Sequence, residues 1–150
     1  MSESPRWLTT LTRVREHRRD EALQSLAQSL QTANAARDAV DSVAEAVSRL
    51  TKNQQRDSSA GRVDVERLRQ LHQTRDDLRT ELAERHRRQT AADAEVQHSQ
   101  AVATACQTEV EVLQNLNERY VTENRVTQRR RDERILLETA VSLCNSEASA

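Results

Sequence analysis

The residues best suited to do chemistry lie near the end of the chain, where arginines precede a short aliphatic run. The arginines are Arg119, Arg125, Arg129, Arg130, Arg131 and Arg134, and the run is Ile135, Leu136 and Leu137. A guanidinium pairs bidentately with a carboxylate, and its stem covers apolar surface. Charge alternation of this kind is also typical of a solvated helix face. The aliphatic run favours the other interpretation, a segment that docks into a protein groove or ring.

The other residue types that support catalysis or metal binding are not arranged for either. The histidines are His17, His72, His86 and His98, and the cysteines are Cys106 and Cys144. Metal sites need ligands at short spacings, and these residues are scattered along the chain. A single glycine leaves no glycine-rich loop to bind a phosphate. We therefore expect no enzyme activity, no metal site and no cofactor.

The composition limits the fold that must position the arginines. Of 150 residues, 35% are hydrophobic, 31% are charged and 1% are aromatic, with one Gly, one Pro and no Phe. Globular domains are nearer half apolar and richer in Gly and Pro, so a large core is excluded. Leu, Val and Ala recur at helical spacing among charged residues, which favours long exposed helices over an unfolded tract. The composition and spacing predict an all-α coiled coil.

A first helix is expected at about residues 5–55, with Pro5 in its first turn. From Leu23 onward its seam follows steps of three and four residues: Leu23, Leu26, Leu30, Ala33, Arg37, Val40, Ala44 and Val47. The same register run backwards misses Leu11 and Val14. We therefore predict a stutter near Arg18, where a four-residue step locally unwinds the supercoil.

A turn is expected at about residues 56–62, because the apolar pattern stops there and the chain's single glycine is Gly61. A second helix is expected at about residues 63–145. Its predicted seam is Leu68, Leu71, Arg75, Leu78, Leu82, Arg85, Gln89, Ala92, Val96, Ser99, Ala103, Cys106, Val110, Leu113, Asn117 and Tyr120. This register is unbroken.

A short turn between long helices predicts a single domain over residues 1–150, a long antiparallel two-helix coiled-coil hairpin. Pairing about residue 60 places position i opposite roughly position 120 minus i. The basic start, with Arg13 and Arg15, then faces a stretch containing Glu109, Glu111 and Glu118. Because the second helix is longer, everything past Tyr120 is expected to form a C-terminal helical overhang without a partner in the hairpin.

The chain also resembles a known family over nearly its whole length. The residues that carry the resemblance are Trp7, Leu8, Leu11, Arg15, Glu16, Asp20, Ala22, Leu26, Ala27, Ser59, Ala60, Gly61, Leu68, Leu71, Leu113, Leu116, Glu118 and Arg119. They resemble the FliJ/YscO family, the stalk proteins of flagellar and injectisome type III export. The resemblance implies a helical hairpin similar to the central stalk of rotary ATPases.

The resemblance further implies a non-enzymatic stalk and adaptor of a protein export apparatus. Its partners would be the hexameric export ATPase and its regulator, the membrane export gate and the export chaperones. The paired termini and the overhang would enter the ATPase ring, and the middle of the hairpin would face the gate. The expected partner-binding residues are Trp7, Arg13, Arg119, Tyr120, Arg129, Arg130, Arg131, Arg134, Ile135, Leu136 and Leu137.

Two alternatives remain open at the level of sequence. One is a generic coiled-coil scaffold or dimerisation protein, in which the second helix pairs with another copy. The other is an arm that binds RNA or a membrane surface, which the net charge of −1 disfavours, so we expect no nucleic-acid partner. The start of the chain lacks a signal-peptide pattern, and no segment could span a bilayer. A cytoplasmic protein, peripheral to the inner membrane only through its partners, is expected.

Overall fold

The structure is a computed structural model that describes residues 5–59, 61 and 64–148. Within these residues the secondary structure consists of two helices, α1 (Arg6–Ser59) and α2 (Val65–Ala148), and contains no strand. The helices pack against each other as a helical hairpin. The predicted all-α coiled-coil hairpin is therefore confirmed.

Helix α1 begins immediately after Pro5, whose carbonyl accepts bonds from the backbone N–H groups of Leu8 and Thr9 at 2.9 and 3.2 Å. The helix continues past its expected end near residue 55. The Ser58 hydroxyl donates to the carbonyl of Gln54, and the Ser59 hydroxyl donates to that of Arg56. Residues 56–59 of the expected turn thus form the last turn of α1.

The connection between the helices contains Gly61, whose φ of 72° lies in the left-handed region that glycine adopts without strain. The rest of the expected turn, Ala60 and Arg62, and the expected start of helix two at Val63 lie outside the described residues. Asp64 caps α2, because its carboxylate accepts from the backbone N–H of Glu66 at 3.1 Å. The helix ends at Ala148, three residues beyond the expected 145.

The chain divides into two compact units, which we describe separately. The terminal unit comprises Met1–Asp20 with Ala105–Ala150, and the central unit comprises Glu21–Thr104. Both contain a stretch of α1 and a stretch of α2.

In the central unit, the seam on α1 differs from the predicted one. The buried or half-buried positions are Ala22, Leu26, Ser29, Ala33, Ala36, Val40, Val43, Val47, Leu50, Gln54 and Asp57, with Ala39 and Ala46 half-buried beside them. Leu23 is 48% exposed and Leu30 is 45% exposed, so their assignment to the seam was wrong. The predicted and observed seams share Leu26, Ala33, Val40 and Val47. At the other positions the observed seam uses the preceding residue, so that Ala22, Ser29, Ala36 and Val43 replace the predicted residues. These side chains are small and allow the helices to approach closely, while Leu23 and Leu30 lie at the edge of the seam.

The predicted stutter was also wrong. Leu11 and Val14 are exposed, and Leu8, Thr12 and Arg15 are buried or half-buried at the spacing that continues to Ala22. Polar residues occupy these positions because their polar groups are bonded. The Thr12 hydroxyl donates to the carbonyl of Leu8 at 2.8 Å, and Arg15 pairs with a glutamate of α2.

The predicted seam on α2 is confirmed from Leu68 to Asn117, since each of its positions is buried or half-buried. It fails at Tyr120, which is 39% exposed. Val121 and Asn124 are half-buried instead. A step of four residues from Asn117 to Val121 replaces the predicted step of three.

The pairing of the helices is shifted from the predicted rule. Ser29 bonds to Ser99 rather than lying opposite residue 91, and in the terminal unit Arg15 bonds to Glu109 rather than lying opposite residue 105. Because α1 ends at Ser59 and α2 starts at Val65, the midpoint of the connection lies after residue 60. In a coiled coil, each seam side chain packs between residues from two turns of the partner helix. A seam residue can therefore contact partner residues several positions apart, which accommodates the larger offset between Ser29 and Ser99.

The Ser29–Ser99 contact fixes this register inside the central unit. Ser99 is 5% exposed, and its Oγ lies 3.0 Å from the Oγ of Ser29. The Ser29 hydroxyl donates its proton to the carbonyl of Ser25 at 3.0 Å, so Ser99 donates to Ser29. A buried hydroxyl is thereby satisfied across the two helices.

This contact gives a direct test of the register. The variant S29C/S99C, made with C106S and C144S to remove the native thiols, should oxidise to a disulfide within one chain. The two oxygens already lie 3.0 Å apart, close to what a disulfide requires. Non-reducing electrophoresis at low protein concentration measures the product. The control L23C/S99C should not close, since Leu23 is exposed; crosslinking only between chains would contradict the antiparallel pairing.

The seam also predicts which leucines stabilise the fold. Leu78→Ala should lower the free energy of unfolding by about 2 kcal/mol, because Leu78 lies half-buried in the seam of α2. Leu30→Ala removes the same atoms from an exposed position and should cost less than about 1 kcal/mol. Chemical denaturation followed by circular dichroism measures both. Equal losses in the two variants would show that the register is wrong.

Candidate partner-binding surface

Helix α2 continues well beyond its last half-buried residue, Asn124. We call residues 125–148 the overhang. Every side chain from 125 to 144 is exposed. The overhang therefore begins about four residues later than the expected start after Tyr120, because Val121 and Asn124 still pack in the terminal unit.

The overhang is helical although no second layer covers residues 125–144. Its many Arg, Glu and Leu residues have high intrinsic helix propensity. Its hydroxyl groups bond within the helix, as Thr127 donates to the carbonyl of Glu123 at 2.9 Å and Ser142 to that of Thr139 at 2.8 Å. These hydroxyl groups are therefore satisfied within the helix, which leaves the arginines as the main exposed donors.

Some arginines of the paired region form ion pairs between the helices, and the overhang arginines do not. Arg15 and Glu109 are joined at 2.6 Å, and Arg37 and Asp93 at 2.8 Å. Among the described residues, no ion pair or side-chain hydrogen bond is found for Arg129, Arg130, Arg131 or Arg134. Each guanidinium thus presents its donors to solvent, in a form suited to a carboxylate-rich partner.

The aliphatic run does not form one surface. Ile135, Leu136 and Leu137 are all more than half exposed. Successive residues turn by about 100° around a helix, so they point to different sides. Leu137 and Val141, four residues apart, share a face, and Leu136 adjoins it. Ile135 lies on a different side of the helix.

The other predicted residues lie in the same terminal unit but not at one site. Trp7 and Arg13 are exposed on α1, whereas Arg119 and Tyr120 are exposed on α2. Arg119 lies in a shallow depression with Asn115, Glu118, Thr122 and Glu123. Ile135 follows Asn124 by eleven residues, or about 16 Å of helix. The predicted set is therefore spread along one unit rather than gathered in a pocket.

A groove on the terminal unit was not predicted from the sequence. It has a volume of about 530 Å³ and is lined by Leu11, Arg15, Ala105, Thr108, Glu109, Val112 and Leu113. Val112 is 60% exposed, and Leu116, one turn further along α2, is also exposed. The sequence does contain a signal for the groove, since Val112 and Leu116 form a second apolar stripe beside the seam positions Val110 and Leu113.

In the part of the chain that the structure describes, we find no arrangement typical of a metal site or of a membrane span. There, no group of three or more His, Cys, Asp or Glu side chains converges on a metal position. Cys106 is half-buried and Cys144 is exposed, and neither forms a disulfide. No described helix is both long and apolar enough to cross a membrane.

These features define a class, the all-α coiled-coil hairpins, in which two paired helices stabilise the fold and the longer helix continues as an exposed segment. The chain belongs to the flagellar FliJ protein family, which matches residues 5–149. This confirms the family resemblance drawn from the sequence. Comparison with curated proteins and with solved structures finds no match.

Family membership makes the chain a component of the flagellar export apparatus. The matching family is flagellar, which answers the choice between flagellum and injectisome that the sequence alone left open. The family is a non-catalytic component of that apparatus, consistent with the expectation that the chain is not an enzyme.

Proposed function

We propose that this chain is the stalk and adaptor that binds and stimulates the hexameric ATPase of the flagellar export apparatus. It would also contact the regulator of that ATPase, the membrane export gate and the export chaperones. In this proposal the protein works in the cytoplasm and is peripheral to the inner membrane only through these partners. Family membership supports the proposal at the level of the apparatus.

The observation that carries the proposal is the overhang. Its arginines have no ion pair among the described residues, and Leu136 and Leu137 are exposed beside them. A monomeric soluble protein seldom leaves aliphatic side chains grouped on a helix that packs against nothing. A channel lined by carboxylates and apolar side chains would satisfy both surfaces.

A stalk inside a ring acts through differential binding. The sides of the overhang differ in chemistry, since Ile135 faces away from Leu137 and the arginines are distributed between them. Such a helix cannot make the same contacts with all subunits of a ring of identical subunits. It would therefore favour different conformations in different subunits, which is the condition for coupling to their ATPase cycle.

The gate would be contacted through the central unit. Leu23 and Leu30 lie seven residues apart, on one face of α1, and both are exposed. They are the large aliphatic side chains that the seam leaves available on α1 in this unit. We propose this face as the gate-facing surface, in place of the aromatic residues that the chain lacks there.

Removal of the overhang should separate fold from function. A chain ending before Thr127 should keep the melting temperature of the paired region, because residues 127–144 are exposed and add no packing. Stimulation of the hexameric export ATPase should largely vanish. Phosphate release measures stimulation, and circular dichroism measures melting. Full stimulation by the truncated chain would locate the working surface elsewhere, and residues 7–19 would be the next segment to test.

Charge neutralisation tests the arginines without shortening the helix. The variant R129Q/R130Q/R131Q should bind the ATPase more weakly, and the loss should be larger at low salt than at high salt because the contact is partly exposed. The matched control R79Q/R87Q/R88Q removes three exposed arginines from the central unit and should bind normally. Equal losses in both variants would indicate a nonspecific charge effect and contradict the assignment.

A further inference from the structure

The two helices of the central unit pack less closely near the connection than away from it. The buried side chains of this unit are Ala22, Ala33, Val40, Val43, Ser99 and Ala103. Those on α1 lie at or before Val43, and those on α2 lie at or after Ser99. Between these positions and the connection, the described seam residues are at most half-buried. The burial of the seam therefore falls along the unit.

A contact between the helices locates the change on α2. Arg37 pairs with Asp93, so Val43, which follows Arg37 by six residues, lies opposite about residue 87. We call residues 21–43 with 87–104 the proximal part of the central unit. Residues 44–59 with 65–86 form its distal part, which leads to the connection.

The seam of the distal part contains polar and charged side chains. Gln54 and Asp57 occupy seam positions on α1, and Arg75 and Arg85 occupy seam positions on α2. All four are half-buried. The seam positions of the proximal part carry no charged side chain. A charged group at a seam position gives up hydration, and a bond across the seam is needed to replace it.

The two seam arginines bond within their own helix instead of across the seam. Arg85 donates to Glu81 at 3.1 Å, and Arg75 donates to Nδ1 of His72 at 3.1 Å. The Nε of Arg75 is buried and has no hydrogen-bond partner among the described residues. The carboxylate of Asp76 lies 4.0 Å from it, which is too far for a hydrogen bond. Separation of the helices would keep the bonds within α2 and return this Nε to water.

An ion pair between the helices opposes separation. Arg67 and Asp57 are joined at 3.0 Å, close to the connection. The Arg67 side chain is 67% exposed and that of Asp57 is 44% exposed. Exposed pairs of this kind contribute little to stability. The distal part is therefore held mainly by its half-buried apolar residues.

We propose that the distal part is a conformational device, in which the two helices separate locally while the proximal part stays paired. Local opening requires least free energy where few apolar contacts are lost. Hydration of Arg75 favours the open form, so this residue controls how often the distal part opens. Opening uncovers Val47, Leu50, Leu71 and Leu78, which the closed hairpin half-buries. The proposal goes beyond the proposed function and does not depend on it.

Hydrogen exchange of the full chain, followed by mass spectrometry of peptic fragments, measures local opening. The protection factor of a fragment is the ratio of its intrinsic to its observed exchange rate. Protection at residues 44–55 and 69–86 should be at least about tenfold lower than at residues 26–43 and 87–100. Residues within a turn of a helix end are left out, because helix ends fray in any hairpin.

A substitution at Arg75 tests the cause. R75L replaces the unsatisfied donor by an apolar side chain and should raise protection of the distal part at least about tenfold. Protection of the proximal part should stay within about twofold of the wild type. R79L is the matched control, because Arg79 is exposed one turn further along α2 and the change in helix propensity is the same. It should leave protection of the distal part within about twofold.

Equal protection in the two parts of the wild-type chain would overturn the proposal, and this comparison needs no variant to fold. R75L that leaves distal protection unchanged, or R79L that raises it as much as R75L, would overturn the role of Arg75. No ATPase is present in this measurement. Failure of the chain to stimulate the ATPase would therefore reject the proposed function alone, and equal protection would reject the conformational device alone.

Discussion

Every other property of this chain depends on a seam between two helices that is only one side chain deep. In the central unit Ala33, Val40 and Ser99 are buried there, and in the terminal unit Leu8 and Val110 are. Small side chains let the helix backbones approach, so stability comes from many short dispersion contacts rather than from a few large aromatic groups. Each pair of seam side chains contributes little to the free energy of folding. A long paired region is the physical requirement for a stable fold built this way, and α1 supplies 54 residues of it.

A seam of this depth also determines where function can lie. It offers no interior in which a substrate could be desolvated, so partners must be recognised on outer faces. Polar groups within the seam are used for register. Ser99 bonds to Ser29, and Arg15 pairs with Glu109, so both contacts favour the observed register over its neighbours. The arginines of the overhang have no ion pair among the described residues, and the proposed function assigns them to recognition.

The sequence predicts those parts of the fold in which only one heptad register is consistent with the apolar residues. In α2 the leucines and valines from Leu68 to Leu113 fit a single pattern, and the structure follows it. In α1 two registers share Leu26, Ala33 and Val40, and hydrophobicity alone favours the one with more leucines. The structure uses the other, in which Ala22 is buried and Leu23 is exposed. The groove was not predicted for a related reason. The residues that line it depend on how each helix is rotated about its own axis relative to the seam.

The continuity of α2 explains why the overhang can be helical although its described side chains, residues 125–144, are all exposed. The costly step in helix formation is the first turn, and the paired region supplies it before the overhang begins. Adding residues to an existing helix requires only good helix formers, which residues 125–148 provide in Arg, Glu and Leu. The overhang is therefore ordered before it meets a partner. It loses less conformational entropy on binding than a flexible tail of the same composition would, so more of the contact energy remains as affinity.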